Sequence, residues 1–408
     1  MERFHGVLGI ILILGIAFLF SNNKKRINYR LVLSGITLQV VIAVLILKVP
    51  PVTKFFQFLG KGMEKIEHFA REGAAFVFGG VMVNTPNGAM DFRAGGFVFA
   101  FSVMATIILV TVLVAVLYHI GLMQRIVAVI ARAMNFVMRV SGAEALSNVA
   151  SAFVGQVEAQ VMIRPYLQGM TRSELLASMS GSLACIAGGI LIVYANMGAK
   201  AEYLIAASLM AAPGALVISK IVFPETEESE TMGRVKLEVK SSYKNIIDAI
   251  SHGASDGMKI SINVIAMLIG FIALVALLNW GLGLINPAFT LDAIFAKVFY
   301  PMAWAMGIPL EDTANAAALL GQKLTINEFV AFQNLTTKVN PIVSEKGLLI
   351  VSIAICGFAN FSSVGMQIGG IGELAPGRRA DLAKLGLKAL LCGTLASYLS
   401  ASLAGIIM

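Results

Sequence analysis

A polar pair, Gln156 and Glu158, lies inside the apolar stretch 148–165. A carboxylate within lipid costs about 3 kcal/mol on insertion scales, so it is retained where it faces a cavity, a partner or a ligand. Gly155 permits a backbone turn just before the pair, and Pro165 limits the helix that follows. The stretch is therefore either a short hairpin that reaches into a membrane and presents the pair to a solute, or a polar loop outside the membrane.

A second polar set lies in the C-terminal third of the chain. The Glu328 carboxylate can accept hydrogen bonds from hydroxyl groups, and the Gln156 amide suits the donor and acceptor edge of a nucleobase. The neutral groups that follow are equally consistent with hydrogen bonding between membrane helices, and the aromatic ring with lipid or core packing. No dense basic cluster occurs near either set, so the expected ligand is polar, uncharged or weakly charged, and rich in hydroxyl groups. The neutral and aromatic members of this set are Phe358, Asn360, Ser362 and Ser363.

The composition is typical of a polytopic membrane protein. Of 408 residues, 58% are hydrophobic and 13% charged, and the mean hydropathy is +0.83. A soluble protein would carry about 25% charged residues. At roughly 20 residues per span, the chain can hold about eight transmembrane helices with room for interruptions. The net charge of +8 is consistent with basic cytoplasmic loops rather than with nucleic-acid binding, because no basic patch with interleaved aromatic residues occurs.

Several classes of function are disfavoured by what the sequence does not contain. The three cysteines have no metal-binding spacing, and the four histidines are scattered. No phosphate-binding loop of a nucleotide hydrolase occurs, so transport would draw its energy from an ion gradient. An enzyme is the least expected class, because no nucleophile–base pair or metal cluster is recognisable, and no covalent cofactor is expected.

The apolar runs predict the order of elements. Lys24, Lys25 and Arg26 place the first loop in the cytoplasm and the N-terminus outside. The 73–95 segment is glycine-rich and is expected to be irregular, and two further segments are expected to form broken helices that begin at the hydroxyl caps Ser173 and Ser344. The expected spans and interfacial segments are 6–20, 31–49, an amphipathic helix at 52–72, 96–120, the hairpin 148–165, the broken helix 174–197, 202–222, a charged loop at 225–245, an amphipathic stretch at 246–256 with a span at 258–281, a re-entrant hairpin within 285–335, a helix broken near 357–360, and 383–407.

Two parts of the chain share an order of features that predicts an internal repeat. Each has an acid, then a Ser-Glu pair, then a cysteine twelve positions after the serine, then a helix break and a further span. The paired positions are Glu158 with Glu328, and Cys185 with Cys356. One span separates the two parts, so they would enter the membrane from opposite faces. Inverted repeats with discontinuous helices indicate a secondary transporter whose site lies near the membrane midplane.

With these motifs assembled, nearly the whole chain resembles the concentrative nucleoside transporters. The resemblance rests on five segments, Gly155–Ala159, Arg164–Tyr166, Pro224–Glu227, Asn327–Ala331 and Gly357–Asn360. It implies an all-α polytopic membrane protein with about eight transmembrane helices, two re-entrant hairpins, an inverted repeat, and scaffold and transport (elevator) domains in a homotrimer. The implied boundaries are scaffold at 1–142, first transport repeat at 143–222, cytoplasmic loop and scaffold helix at 223–285, and second transport repeat at 286–408.

The resemblance also implies roles for individual residues. The nucleobase would face Gln156 and Glu158, with Ile190 lining the site. The ribose would face Glu328, Asn360 and Ser363, with Phe358 beside them. Val157 stands where the family usually has a hydroxyl residue, so one polar contact to the base would be missing. The family's sodium site would fall on Ser151, Val154, Cys185 and Ile186.

The coupling ion is left open between Na+ and H+. Sodium-coupled members resemble one another in having Asn at the position of Ser151 and Ser at the position of Cys185, and a thiol is a poor ligand for a hard cation. Proton-coupled members resemble this chain at Ser151. If protons are used, Glu158 and Glu328 are the natural carriers, because a carboxylate removed from water holds a proton more readily.

These inferences lead to one main hypothesis and two alternatives. The main hypothesis is cation-coupled nucleoside uptake by an elevator mechanism, in a bacterial inner membrane, with nucleoside, lipid bilayer and two further copies as partners and no nucleic acid. The first alternative is a transporter of another polar uncharged solute, such as a nucleobase or a sugar. The second is a channel or a membrane-embedded structural domain with an occluded polar core.

Overall fold

The computed structural model describes residues 2–78, 82–84, 90–92, 99–232 and 243–408. This part of the chain contains eighteen α-helices and one two-stranded sheet. It therefore confirms the predicted helical class. Parts of the 73–95 segment and of the charged loop 225–245 lie outside the described residues.

The first three helices occupy the two predicted N-terminal spans and the predicted amphipathic segment. They are α1 (Glu2–Leu19), α2 (Tyr29–Lys48) and α3 (Pro50–Phe78). The side chain of Asn28 caps α2 by accepting a hydrogen bond from the Leu31 amide at 3.2 Å. Within α2, the buried Gln39 amide donates to the Met210 carbonyl at 2.9 Å and to Ser400 at 3.0 Å. This polar contact fixes α2 against two helices of the later repeats.

The prediction that the segment 73–95 is irregular is wrong in part. The helix α3 continues to Phe78, because Glu72 to Phe78 include no proline to end it. Two short antiparallel strands follow, β1 (Met82–Asn84) and β2 (Met90–Phe92). Next comes α4 (Phe99–His119), which forms the third predicted span, and α5 (Leu122–Met138). The chain bends by 76° between α4 and α5, at Gly121 with its left-handed φ of 77°.

The first predicted repeat forms a hairpin, a broken helix and a long helix. Its hairpin brings α6 and α7 together around a tip at 152–157, and the break at 185–187 separates α8 from α9. The bounds are α6 (Gly142–Ser151), α7 (Glu158–Met162), α8 (Arg172–Ala184), α9 (Gly188–Asn196) and α10 (Ala201–Val222). The order hairpin, broken helix, helix is as predicted.

The predicted hydroxyl cap at Ser173 is wrong. The cap is Thr171, whose side chain accepts from the Glu174 amide at 3.1 Å while the Glu174 carboxylate accepts from the Thr171 amide at 2.8 Å. This capping box satisfies two backbone donors at once, which a cap at Ser173 would not do. The Ser173 hydroxyl instead donates to the Phe223 carbonyl at 2.7 Å.

The region between the repeats is dominated by one continuous helix, α11 (Ile246–Ile285), which packs along α4. The predicted amphipathic stretch and span are thus a single helix of 40 residues. Gly253 and Gly257 permit this contact, because a Cβ on either would lie 2.7 Å from backbone atoms of α4. Two short helices, α12 (Leu291–Val298) and α13 (Tyr300–Ala305), lead into the second repeat.

The second repeat has the same order of elements as the first. Ser344 caps its broken helix as predicted, accepting from the Gly347 amide at 3.0 Å, and the break falls at 356–360. The bounds are α14 (Leu310–Thr325), α15 (Glu328–Thr336), α16 (Glu345–Ile355), α17 (Phe361–Leu374) and α18 (Arg379–Ile407). The hairpin within 285–335 is formed by α14 and α15.

The apolar core lies where the two repeats meet, with α18 against α8, α10 and α16. Among the described residues, four helical segments are long and apolar enough to cross a membrane, and a fifth if the bent α4–α5 pair counts as one span. The predicted count of about eight stays a prediction, because broken and re-entrant helices divide the apolar sequence into shorter pieces. The four segments are Tyr29–Lys48, Arg172–Asn196, Ala201–Val222 and Pro376–Ile407.

Candidate solute-binding site

The tip of the first hairpin presents Gln156 on a glycine turn. Gly155 has a left-handed φ of 120°, which favours glycine. The Gln156 side chain is buried, and its amide nitrogen contacts the Met366 sulfur at 3.9 Å. Its amide oxygen has no hydrogen-bond partner among the described residues. A buried, unsatisfied amide oxygen is available to accept a hydrogen bond from a ligand.

Glu158 begins α7 directly after this tip. Its carboxylate folds back over Gly155, since a Cβ at Gly155 would lie 2.5 Å from Glu158 Oε2. Glu158 is exposed, and it accepts no hydrogen bond from a side chain of the described residues. Glycine at position 155 therefore makes room for the carboxylate as well as for the turn.

Glu328 is held more firmly, at the tip of the second hairpin. It is buried, and its two carboxylate oxygens accept from Tyr194 Oη at 3.1 Å and from Asn360 Nδ2 at 2.9 Å. Glu328 is also the first residue of α15, which Asn327 caps, so the helix dipole favours its negative charge. Three elements, α9, α15 and the α16–α17 break, thus meet at one carboxylate.

Tyr194 is a site residue that the sequence analysis missed. It is a fully buried member of α9, and its ring stacks on Phe332 with centroids 4.5 Å apart. It lies within an apolar run, where a tyrosine is as easily explained by packing, so its spacing carried no signal. The available clue was its hydroxyl, because a buried tyrosine hydroxyl normally finds a polar partner.

Asn360 has two functions at the break between α16 and α17. Its Oδ1 accepts from the Ser363 amide at 2.8 Å and so caps α17, while its Nδ2 donates to Glu328. The predicted ribose-facing residues Glu328, Asn360 and Ser363 are therefore brought together. All three are buried in the absence of a ligand.

The two helix breaks touch each other directly. The Phe358 amide donates to the Cys185 carbonyl at 3.3 Å. Gly357 allows this approach, because a Cβ there would lie 2.4 Å from the Ala184 carbonyl oxygen. Phe358 is half-buried beside this contact, and Ile190, in the first turn of α9, is half-buried too.

Val157 joins the first hairpin tip to α17. A Cβ at Gly370 would lie 2.7 Å from Val157 Cγ1, so the valine packs onto a helix surface that lacks a side chain. Gln156 also contacts α17, at Met366. The tip of the first hairpin is thus placed against the second broken helix.

The residues predicted for sodium are already engaged by other groups of the chain. The Ser151 hydroxyl donates to the Ser147 carbonyl at 2.7 Å and lies 2.8 Å from the Ser182 hydroxyl. The Cys185 thiol points to the Asn148 and Ser208 carbonyls at 3.8 and 3.9 Å, so it acts as a donor.

The carbonyl oxygens near this predicted sodium site are partly engaged as well. The Ser208 hydroxyl lies 3.4 Å from the Ile186 carbonyl and 3.2 Å from that of Ala152. Val154 is half-buried, and its amide donates to the Ala150 carbonyl at 3.0 Å. The oxygen atoms suit a hard cation but the thiol does not. No group of three His, Cys, Asp or Glu side chains within the described ranges could hold a metal ion.

Comparisons with known proteins identify the family of this chain. Residues 8–81 match the profile described as the Na+ dependent nucleoside transporter N-terminus, and residues 203–405 that of its C-terminus. Residues 100–201 match a profile described as nucleoside recognition. The chain is 38% identical over 409 residues to the nucleoside permease NupC of Helicobacter pylori, covering 98% of this chain and 96% of the permease. The chain belongs to the concentrative nucleoside transporter family.

The similarity extends to another bacterial transporter and to solved structures. This transporter is 40% identical over 414 residues to the uncharacterised transporter YutK of Bacillus subtilis, covering 99% of each chain. It also resembles solved structures of CNTnw. The TM-score is 0.91 at 39% identity to the inward-facing, substrate-bound state, with 99% of this chain and 98% of that chain covered. The score is also 0.91 to an outward-facing state of a CNTnw variant.

Proposed function

We propose that this transporter is a symporter that imports nucleosides such as uridine, cytidine and adenosine, driven by a gradient of Na+ or H+. The single observation that carries the proposal is the Glu328 carboxylate, held in place by Tyr194 and Asn360. A buried carboxylate so arranged still has acceptor capacity left, and vicinal hydroxyl groups of a ribose can fill it.

The nucleobase would occupy the side of the site formed by the first hairpin. Among the described residues, the buried Gln156 amide oxygen has no hydrogen-bond partner and the Glu158 carboxylate accepts no side-chain hydrogen bond. Val157 offers no hydroxyl between them, so base selection would rest on two polar side chains. The similarity to nucleoside transporters supports this substrate class; one of them is the sodium/nucleoside cotransporter 2 of Rattus norvegicus, which is 35% identical over 427 residues.

The movement would be that of an elevator, in which the two repeats carry the site across the membrane as one body. The packing of α18 against α8, α10 and α16 supports this, because each repeat buries the other's helices. The long α11 would belong to the static scaffold and to the interface of a homotrimer. Its large exposed apolar side chains, which would face lipid or another copy, include Ile269, Leu277, Trp280 and Leu284.

The experiment is radiolabelled uridine uptake into proteoliposomes of a bacterial inner-membrane composition, with sodium and proton gradients imposed separately. Accumulation above the outside concentration, abolished by collapsing the gradient, is the expected result. Sodium alone as the driver would assign coupling to the oxygen atoms around Ser151 and Ile186, and protons alone would assign it to the carboxylates. Flux that neither saturates nor accumulates would contradict symport and indicate a channel.

Competition by uridine analogues separates nucleosides from the other polar solutes. If the ribose binds at Glu328, 2′-deoxyuridine and 3′-deoxyuridine should compete more weakly than uridine, since each lacks one hydroxyl donor. Uracil and ribose alone should barely compete. Equal competition by uracil and uridine would instead identify a nucleobase transporter.

A further inference from the structure

One fully buried charge in the second hairpin has no hydrogen-bond partner among the described residues. Lys323, in the last turn of α14, is 0% exposed, and its Nζ contacts no acceptor. The other buried lysine of the described chain is different. Lys220 bonds to Glu144 at 2.8 Å, Ser173 at 3.0 Å and Glu225 at 3.3 Å. Burying an ammonium group without such partners costs folding free energy, so we expect the lysine to have a function that offsets this cost.

The charge that faces Lys323 belongs to Glu328. Lys323 lies in the last turn of α14 and Glu328 begins α15, so the two buried groups stand on either side of the hairpin turn. Glu328 and Cys356 are the groups that interact electrostatically with the ammonium. Cys356 keeps its proton, because its thiol points as a donor to the Leu204 carbonyl at 3.9 Å. Glu328 is therefore the anion that can offset Lys323.

Charged groups on the neighbouring elements are engaged elsewhere. Asp292 of α12 accepts from Gln322, and Asp312 of α14 itself accepts from the Val343 and Ser344 amides. Glu345 of α16 pairs with Lys200. The remaining titratable groups on α12 to α16 are Lys297, Tyr300, Glu311 and Lys346, and Tyr194 faces Glu328 from α9.

We propose that Lys323 is a positioning residue that keeps Glu328 ionised in the closed site, so that the carboxylate acts purely as an acceptor for substrate hydroxyl groups. The inference rests on the proposed function, in which Glu328 binds the ribose. Without a cation close by, burial would favour a protonated Glu328, whose hydroxyl would occupy an acceptor position and compete as a donor. Because Lys323 makes no hydrogen bond to Glu328, the carboxylate oxygens accept from Tyr194 and Asn360 and keep further acceptor capacity for substrate hydroxyl groups.

The pair also keeps the transport domain electrically neutral at this point. An isolated carboxylate would be costly to move through the low-dielectric part of the membrane, and an isolated ammonium equally so. Together they carry no net charge, so the site can return empty without a proton at Glu328, which leaves Glu158 as the carrier if the coupling ion is H+. Lys323 thus links substrate recognition to the movement of the empty carrier.

The test measures binding of tritiated uridine to the purified, detergent-solubilised protein between about pH 6 and pH 9. For the native protein we expect an affinity that is nearly constant over this interval. For Lys323→Met we expect affinity at least about tenfold weaker at the acidic end, with recovery as the pH rises and Glu328 loses its proton. Lys297→Met, which removes an exposed lysine from the adjacent α12, is the matched control and should keep the native profile.

A weakened but pH-independent affinity of Lys323→Met would overturn the proposal, because a purely structural role changes binding without changing the titration. Thermal unfolding of four proteins gives a second measure that needs no ligand. Lys323→Met and Glu328→Gln should each lower Tm, and the double variant should be more stable than either single variant, since it buries no unpaired charge. Additive losses of Tm would contradict the pairing. If the native protein does not bind uridine, the proposed function fails, while the Tm comparison still decides whether the two charges are coupled.

Discussion

The acids of the two hairpins occupy equivalent places but have different surroundings. Glu158 and Glu328 each begin a short helix just after a hairpin tip. Glu158 is exposed and lies over a glycine, whereas Glu328 is buried and receives hydrogen bonds from Tyr194 and Asn360. The repeat therefore reproduces the position of the acid without reproducing its partners.

In the proposed function, this difference corresponds to the two halves of a nucleoside. The ribose is common to all the proposed substrates, so a carboxylate fixed before binding loses little freedom when the ligand arrives. The bases differ in the position of their donors and acceptors, so a side chain that is not yet committed can adjust to each. We infer that Glu328 supplies affinity common to all nucleosides and that Glu158 adapts to the base.

The largest expected effect is that of Glu328→Gln, which should abolish concentrative uptake of every nucleoside. Hydrogen bonds to a charged group are worth about 1.5–3 kcal/mol each, so losing the charge at a site for two hydroxyls should lower kcat/KM by at least about 100-fold. The measurement is uptake of tritiated uridine and adenosine into proteoliposomes. Glu311→Gln, an exposed acid on α14, is the matched control and should transport normally. Native uptake by a folded Glu328→Gln variant would remove Glu328 from the site.

A smaller and more selective effect is expected for Glu158→Gln. The amide keeps one acceptor and adds a donor, so a base that donated to the carboxylate loses about 1.5–2 kcal/mol, or about 10- to 30-fold in affinity. Inhibition of uridine uptake by unlabelled uridine, cytidine and adenosine measures the loss for each base. We expect losses that differ between the three. Equal losses for all three would show that Glu158 does not discriminate between bases. They would contradict the inference that the two acids bind different halves of the nucleoside.

The sequence predicted the polar positions better than their bonding. The hairpins, the break near Asn360 and the acids were predictable because polar residues and glycines stand out in an apolar sequence. The first break was expected at 187–189 and lies slightly earlier, at 185–187, with Gly188 beginning α9. The contacts of Glu328 were not predictable, since Tyr194 lies 134 positions away and reaches it only through packing of one repeat on the other.

Helix starts were predictable where one hydroxyl residue preceded the helix and ambiguous where two did. Ser344 is such a single candidate and is the cap found in the structure. At the first repeat, Thr171 and Ser173 compete within three residues, and the choice depends on which one lets Glu174 complete a capping box. Ser173 was predicted because an acid follows it directly, but Thr171 is the cap because from that position it forms the capping box with Glu174.

The smallest effect should come from Tyr194→Phe, which removes one of the bonds that hold Glu328. The ring can keep its stacking on Phe332, so the change is confined to one hydroxyl and should cost about 1 kcal/mol, or about fivefold in affinity. The loss should be the same for uridine, cytidine and adenosine, because it acts on the ribose side of the site. Tyr203→Phe, which removes a hydroxyl that bonds to Glu345 instead, is the control and should leave all three affinities unchanged. If the loss in Tyr194→Phe depended on the base, the Glu328 carboxylate that Tyr194 holds in place would not be the group that binds the ribose.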